Sequence, residues 1–420
     1  MTDAETTRAV ETVFRMEQAR LIAGLARMLR DVSRAEELAQ DALVVAMTDW
    51  KKNGVPDNPG AWLMATAKRR AIDGLRRREM MARKHAEIAA DLEDDQLRTS
   101  AFEEALDDDI GDELLGLIFT ACHPILKREA RAALTLRLIG GLSVSEIARA
   151  FLATEATIGQ RITRAKRAIA DAGLSFEVPR GADRDARLPS VLEVIYLIFN
   201  EGYAATSGEA LIRFDLCAEA QRLGRILAGL MADEPEVWGL LALMELHASR
   251  LRARTGPDGA PIALPDQNRA AWDRLLIGRG LKALERAEAL EPERGPYTLQ
   301  GAIAACHARA LTGAATDWER IAALYDDLWD QAGTPVIALN RAIALSMARG
   351  PEEGLLHLSD IEQAGVLPGY APLPAARADC LFRLGHLPEA RQAFELAATL
   401  TRNTGERTYL LKRAGACCQA

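Results

Sequence analysis

The chain has 420 residues, enough for two or three domains. Apolar residues make up 49% and aromatics only 5%, and Ala, Leu and Arg dominate, a mixture that predicts helices rather than sheets. A formal net charge of −8 excludes a general nucleic-acid binder, so any such contact must come from local basic patches.

Residues 8–50 carry helical spacing, with Val10, Val13 and Phe14 followed by Leu21, Ile22 and Leu25. A second helix is expected to begin near Ser33 and run through AEELAQDALVVAMTDW (35–50). The loop KKNGVPDNPG (51–60) holds two prolines and two glycines and breaks the pattern. Pro59 and Gly60 then suit a helix entry, and PGAWLMATAKRRAIDGLRRR (59–78) gathers six basic side chains. At about 100° per residue, Leu63, Met64, Ala65, Ala67, Ala71, Ile72 and Leu75 share one broad face, with Lys68 and Arg78 inside it. Trp62, Thr66, Arg69, Arg70, Asp73, Arg76 and Arg77 take the other arc. Two readings stay open here. The face is solvated and Trp62 closes the core, or the arginines hold phosphates while Trp62 stacks on an unpaired base.

Residues 86–113 turn acidic, with a run of Asp and Glu from Asp91 to Glu113 facing only Arg98. This reads as a solvated spacer, or as a segment lying in a basic channel of a partner. Helical patterns resume over 112–172. Ser143-Val144-Ser145-Glu146 is a capping box that starts a short helix carrying Ile147, Ala148 and Phe151. Thr154 is the expected N-cap of a longer helix from about Ala156 to Ala170. Ile158, Ile162, Ala165 and Ile169 form a narrow apolar stripe on it, and Thr157, Gln160, Arg161, Thr163, Arg164 and Arg167 lie opposite. A short helix, a tight turn and a longer basic helix make a helix-turn-helix. Gln and Arg read base edges in the major groove, and Thr serves edges or phosphates. An ordinary helical hairpin with a charged face is the competing reading. Two basic modules flanking an acidic spacer suit a protein that reads two separated DNA elements.

PRGADRDARLP (179–189) reads as a second linker, and 190–415 as an Ala/Leu-rich helical region broken by TGPDGAPIALPDQ (255–267). The region repeats. Ala342, Gly354, Leu358 and Ile361 are spaced by 12, 4 and 3 residues, and Ala378, Ala390, Phe394 and Ala397 repeat that spacing 36 residues later. Ile321, Tyr325 and Leu328 form a looser copy. Helix pairs of this kind cannot bury their faces alone and stack on their neighbours. The segment 200–227 is richest in polar groups, with Asn200, Glu201, Tyr203, Arg213, Asp215 and Glu219 suited to an interface or a small pocket. Cys122, Cys217, Cys306, Cys380, Cys417 and Cys418 form no C-x-x-C pair, and the six histidines are scattered, so reduced, packing cysteines and no metal site are expected. No phosphate-binding glycine loop or nucleophile–base pair stands out. We therefore expect no catalytic residue, no cofactor and no enzyme. No run approaches the roughly 20 apolar residues of a membrane helix, and the polar N-terminus lacks signal-peptide features, which predicts a cytoplasmic protein without a membrane partner.

The segments 35–50, 59–78 and 141–169, in that order and spacing, resemble the sigma-70 family, and specifically the extracytoplasmic-function sigma factors, which lack a region 3 domain. The resemblance implies that 8–80 is region 2, that 112–173 is region 4, and that the chain binds core RNA polymerase, through its β′ clamp and β flap, and promoter DNA. It implies clamp contacts from Glu36, Glu37, Gln40 and Asp41, with Leu38, Leu43 and Val44 packing inward. It implies −10 contacts from Trp62, Lys68, Arg69, Arg70, Arg76 and Arg77, with Asn53 and Asn58 near a flipped base. The family's usual Asn near Lys68 or Arg69 is replaced here by Lys and Arg. The helix 156–167 matches the −35 reader, so Thr157, Gln160, Arg161, Thr163, Arg164 and Arg167 are its candidate contacts. The repeats resemble the TPR-like extension of one sigma subgroup, which implies control in cis, by contact with the sigma core or with a regulatory protein.

The expected fold is all-α. It comprises region 2 (1–85), an acidic linker (86–111), a region 4 helix-turn-helix (112–178) and a TPR-like helical-repeat domain (190–420). The alternatives are a helix-turn-helix regulator with a TPR-like sensor that works without polymerase, and a helical enzyme using 196–219.

Overall fold

A computed structural model describes residues 3–86, 110–151, 153–204, 212–256 and 261–418. The acidic spacer expected at 86–111 lies outside them apart from its ends. The fold is all-helical; among the described residues the extended backbone amounts to one isolated bridge, Thr255 to Pro261. No helix among them is long and apolar enough to cross a membrane. The chain divides into two units, Met1–Val194 and Ile195–Ala420.

The first unit opens with α1 (Asp3–Leu29), α2 (Val32–Asn53) and α3 (Pro59–Ala86). Arg30 ends α1 in a left-handed conformation (φ 53°). Asp31 then caps α2, its Oδ1 accepting from the Ser33 and Arg34 amides at 2.9 and 3.1 Å. The buried stripe of α2 is Ala35, Leu38, Ala39, Ala42, Ala46 and Trp50, mostly small residues at spacings of three and four. It packs against Leu21, Ile22 and Leu25 of α1 and Leu63, Ala67 and Ala71 of α3, all buried. The inward packing expected of Val44 is wrong: Val44 is 62% exposed, because Ala42 and Ala46 hold the face that the helical period turns to the core.

Among the described residues, four helices follow: α4 (Ile110–Ala121), α5 (Arg128–Leu138), α6 (Val144–Ala150) and α7 (Glu155–Asp171). The linker expected at 179–189 is also corrected. From Ala182 onward it is helix, the start of α8 (Ala182–Tyr203), with Pro189 inside it. Tertiary contacts outweigh the proline. Leu188, Val191 and Leu192 are buried, the Arg187 Nη2 donates to the Phe119 carbonyl at 3.2 Å, and Glu193 pairs with Arg128 and Arg131 at 3.1 Å. The unit boundary therefore falls within α8, beyond the sequence-derived start of the extension at 190.

The second unit continues through α9 (Phe214–Leu230), α10 (Pro235–Ala248), α11 (Arg274–Leu290), α12 (Pro296–Arg309), α13 (Trp318–Ala332), α14 (Pro335–Arg349), α15 (Pro351–Ala364), α16 (Pro372–Arg383), α17 (Leu387–Leu400) and α18 (Thr404–Ala416). Helices α10, α12, α14, α15 and α16 each open on a proline, whose fixed φ suits the first turn and whose missing N–H costs nothing there. From α13 onward each helix packs chiefly on its neighbours in chain order, the arrangement of a helical-repeat stack. The repeat positions explain why. Ala342, Leu358, Ala378, Ala390, Phe394 and Ala397 are all at most 2% exposed. A Cβ at Gly354 would stand 2.3 Å from the Ser346 Cβ, so α14 and α15 cross where only glycine fits.

Gly239 makes the same kind of crossing between α10 and α12, where a Cβ would meet the Thr298 Oγ1 at 2.4 Å and its backbone N at 2.6 Å. Gly239→Ala is expected to cost about 1–3 kcal/mol in urea unfolding through overpacking. Gly278→Ala, on the open face of α11 with nothing near its Cβ, should instead stabilise by up to about 1 kcal/mol through helix propensity.

Candidate functional site

Two separate basic surfaces emerge from the first unit. On α3, Arg69, Arg70 and Arg76 are exposed and Lys68 is half-buried. The side chain of Arg77 lies outside the described residues. Trp62 is half-buried, with its ring edge-on to the buried Trp50 at 5.4 Å and 64°. Its indole thus closes the core at the mouth of loop 54–58 while one side stays open. In that loop the Asn58 Oδ1 accepts from the Ala61 amide at 3.1 Å, starting α3, and at the end of α2 the Asn53 Nδ2 donates to Asp49 at 2.9 Å. Both asparagines that the resemblance placed near a flipped base hold local structure.

On α6 and α7 the helix-turn-helix has the expected local chemistry. The Glu146 amide donates to the Ser143 Oγ at 3.1 Å, and the Ser143 amide to the Glu146 Oε2 at 2.7 Å. Thr154 caps α7 by accepting from the Thr157 amide at 3.1 Å. Ile158, Ile162, Ala165 and Ile169 are all buried. Gln160, Thr163, Arg164 and Arg167 are therefore exposed, and Thr157 and Arg161 half-buried. The Thr157 hydroxyl is already hydrogen-bonded to that of Thr154 at 2.8 Å. Arg167 lies 3.5 Å from Asp171 on the same helix, an exposed pair worth little to stability.

The four candidate clamp residues do not share one surface. Glu37, Gln40 and Asp41 are exposed on α2, in line with Val44 one turn on. Glu36 faces the other way and its side chain is only 8% exposed, a correction to its expected role as an outward contact. Its Oε1 receives the Arg137 Nε at 2.6 Å, and its Oε2 the Nζ of Lys166. Arg137 comes from α5 and Lys166 from α7, so this one carboxylate ties α2 to the helix-turn-helix. Sequence reasoning had no way to see this pairing. The partners stand 101 and 130 residues away, and Lys166 only marks the edge between the stripe and polar face of α7. Asp41 also pairs with Arg70 at 3.1 Å, in the open. Lys68, with Arg27, Arg30, Glu113 and Glu177, lines a cleft of about 600 Å³ beside the end of α7.

Comparison with known proteins gives these surfaces a family. Residues 13–80 match the model for Sigma-70 region 2, and 117–169 that for Sigma-70, region 4; residues 187–288 match a family of unknown function, DUF6596. The ECF RNA polymerase sigma factor SigK of Mycobacterium ulcerans (strain Agy99) is 29% identical over 149 residues, 34% of this chain and 75% of that protein. An uncharacterized protein of Rhizobium meliloti (strain 1021), R00370, is 42% identical over 389 residues, 92% of this chain and 90% of its own length. The class defined by these two helical modules is an RNA polymerase sigma factor, which binds core polymerase and promoter DNA. The chain belongs to the extracytoplasmic-function sigma factors of the sigma-70 family and carries a long helical C-terminal extension. A regulator without polymerase would leave the region-2 match over 13–80 unexplained.

Removing Glu36 leaves two largely buried cations without their counter-charge. Glu36→Ala is expected to lower the urea unfolding free energy by about 3 kcal/mol, against about 0.5 kcal/mol or less for Glu37→Ala on the outer face of the same helix. Equal effects would mean that Glu36 anchors nothing.

Proposed function

We propose that the outward stripe Glu37, Gln40 and Asp41 on α2, with Val44 beside it, docks on the polymerase β′ clamp, while α3 engages the −10 element. Arg69, Arg70, Arg76 and Arg77 hold backbone phosphates, and the open side of Trp62 meets a base released from its stack. Residues 112–178 form the −35 module near the β flap. There Gln160 and Arg164 reach base edges while Thr163 and Arg167 hold phosphates. Residues 86–111 span between the modules. The observation that carries this reading is the exposure of two basic helix faces, on α3 and on α7, each backed by its own buried stripe.

The Glu36 tie has a place in this reading. Lys166 belongs to the helix that reads the −35 element, and Glu36 to the helix that meets the clamp. Spreading the two modules along a promoter exchanges this intramolecular ion cluster for polymerase and DNA contacts. The extension, from about residue 195, acts on this step as a regulatory module, touching the sigma core or a regulatory protein.

Arg164→Ala and Arg167→Ala are expected to weaken holoenzyme binding to a −35/−10 promoter. A phosphate-holding arginine should also lower the slope of log K against log salt by about 1. Unchanged affinity and slope in both variants would rule out α7 as the DNA reader. Transcript yield from a chain ending at Val194 should differ from that of the full chain; identical yields would remove the regulatory reading of the extension.

A further inference from the structure

The extension holds a cluster of cations that promoter recognition does not use. It forms where α8, α10 and α12 end, and Tyr203 comes from the polar segment singled out in the sequence. Arg254, just past the short 3-10 turn Leu251–Ala253, lays its guanidinium over the Tyr203 ring, Cζ 3.8 Å from the centroid, and donates to the Tyr203 carbonyl. Arg250 stands 5.4 Å from the same centroid and reaches the His247 Nδ1 at 3.2 Å. An arginine can only donate, so that nitrogen is the acceptor. His247 meets Tyr203 edge-on at 5.0 Å. Arg269, 5% exposed, donates to the His307 carbonyl and, at 3.2 Å, to the Thr316 hydroxyl.

Among the described residues the charges here do not balance. Buried arginines ordinarily face carboxylates, as Arg213 faces Glu201 at 2.6 Å nearby. No carboxylate among the described residues pairs with Arg250, Arg254 or Arg269 or acts on the latter two through space. Among the described residues, the carbonyl ends of α8 and α12 accept from Arg254 and Arg269, and these carry the partial charge of a helix dipole. The neighbours register the excess. Burial first, then the arginines, push His247 well below the usual histidine range and His307 down to about 3, so both rings are neutral at pH 7.

Unused polar atoms are the second observation. The Tyr203 Oη, the Arg269 Nε and the His307 Nδ1 are buried without a hydrogen-bond partner among the described residues. Each such atom has lost its water without gaining a partner, which is unfavourable. Donors lacking an acceptor, around guanidiniums lacking an anion, complement an oxyanion. A phosphate monoester brings about −1.5 to −2 charge and three acceptor oxygens, a closer match to three guanidiniums than one carboxylate. Tyr203, His247, Arg250 and Arg254 are partly exposed, so the cluster reaches solvent.

We propose that the extension binds a small phosphate-bearing ligand at Arg250, Arg254 and Arg269, with the Tyr203 hydroxyl as a further donor. The test is thermal unfolding of the full chain at pH 7 in chloride, acetate, inorganic phosphate or glucose 6-phosphate, at matched ionic strength. A saturable rise in Tm is expected with a phosphate and not with acetate. A rise with both phosphates marks the free ion as sufficient, and a rise with the sugar phosphate alone marks an ester ligand. Arg164→Ala/Arg167→Ala should keep the rise, and Arg254→Gln should lose it. Should Arg254→Gln fail to fold, Tyr203→Phe decides. In chloride it should be as stable as the parent or more so, having shed an unpartnered hydroxyl, and its apparent phosphate affinity should fall about threefold to tenfold. No phosphate-specific rise, one that persists in a folded Arg254→Gln, one undiminished in Tyr203→Phe, or one that vanishes in Arg164→Ala/Arg167→Ala would each overturn the proposal.

Discussion

The Glu36 carboxylate, held between Arg137 and Lys166, is the contact on which the arrangement of the first unit turns. An ion taken this far out of water is costly unless every oxygen has a partner, and here both oxygens have one. The cluster therefore contributes less to net stability than to specificity, since any arrangement that separates its members strands a buried charge. That property fits the proposal that the two modules are held together while idle and parted on a promoter.

Elsewhere the structure relies on close approach. With aromatics at 5% of the chain, bulk cannot fill the interior, and small residues instead let helices come near one another. Ala35, Ala39, Ala42 and Ala46 do this along α2, and Gly354 does it between α14 and α15. The same economy runs through the stacked repeats, where Ala342, Ala378, Ala390 and Ala397 are fully buried. Such a stack tolerates a foreign cluster only where helix ends expose carbonyls. The arginines near Tyr203 and His307 sit at two such ends, on the carbonyls that no helix turn can satisfy. Structural capping and ligand binding thus draw on the same side chains.

Much of the molecule was legible from residue order. Caps, periodic stripes and repeat spacing are local properties, set by side chains three or four apart, and they survive almost any tertiary context. That is why the capping box at Ser143, the stripe from Ile158 to Ile169 and the repeat positions from Ala342 to Ala397 could be named beforehand. Two local signals misled because a distant surface outweighed them. The proline and charges of 179–189 read as a linker, yet from Ala182 onward that segment is helical, with Arg187 bonded to the Phe119 carbonyl. Val44 is apolar but lies outside because smaller alanines take the inner positions of its helix.

Sequence alone determined the helical class, the two basic faces and the stacked repeats, because each follows from periodicity within one helix or helix pair. Tertiary structure alone decided which charges are solvated and which are spent inside. Glu36 and Glu37 are adjacent carboxylates on one helix, yet one is sealed by cations more than a hundred residues away while the other faces water. The three arginines of the extension are likewise ordinary in the sequence. Only folding brings them together with no carboxylate beside them among the described residues, because a Coulomb interaction depends on distance in space, which spacing along the chain does not fix.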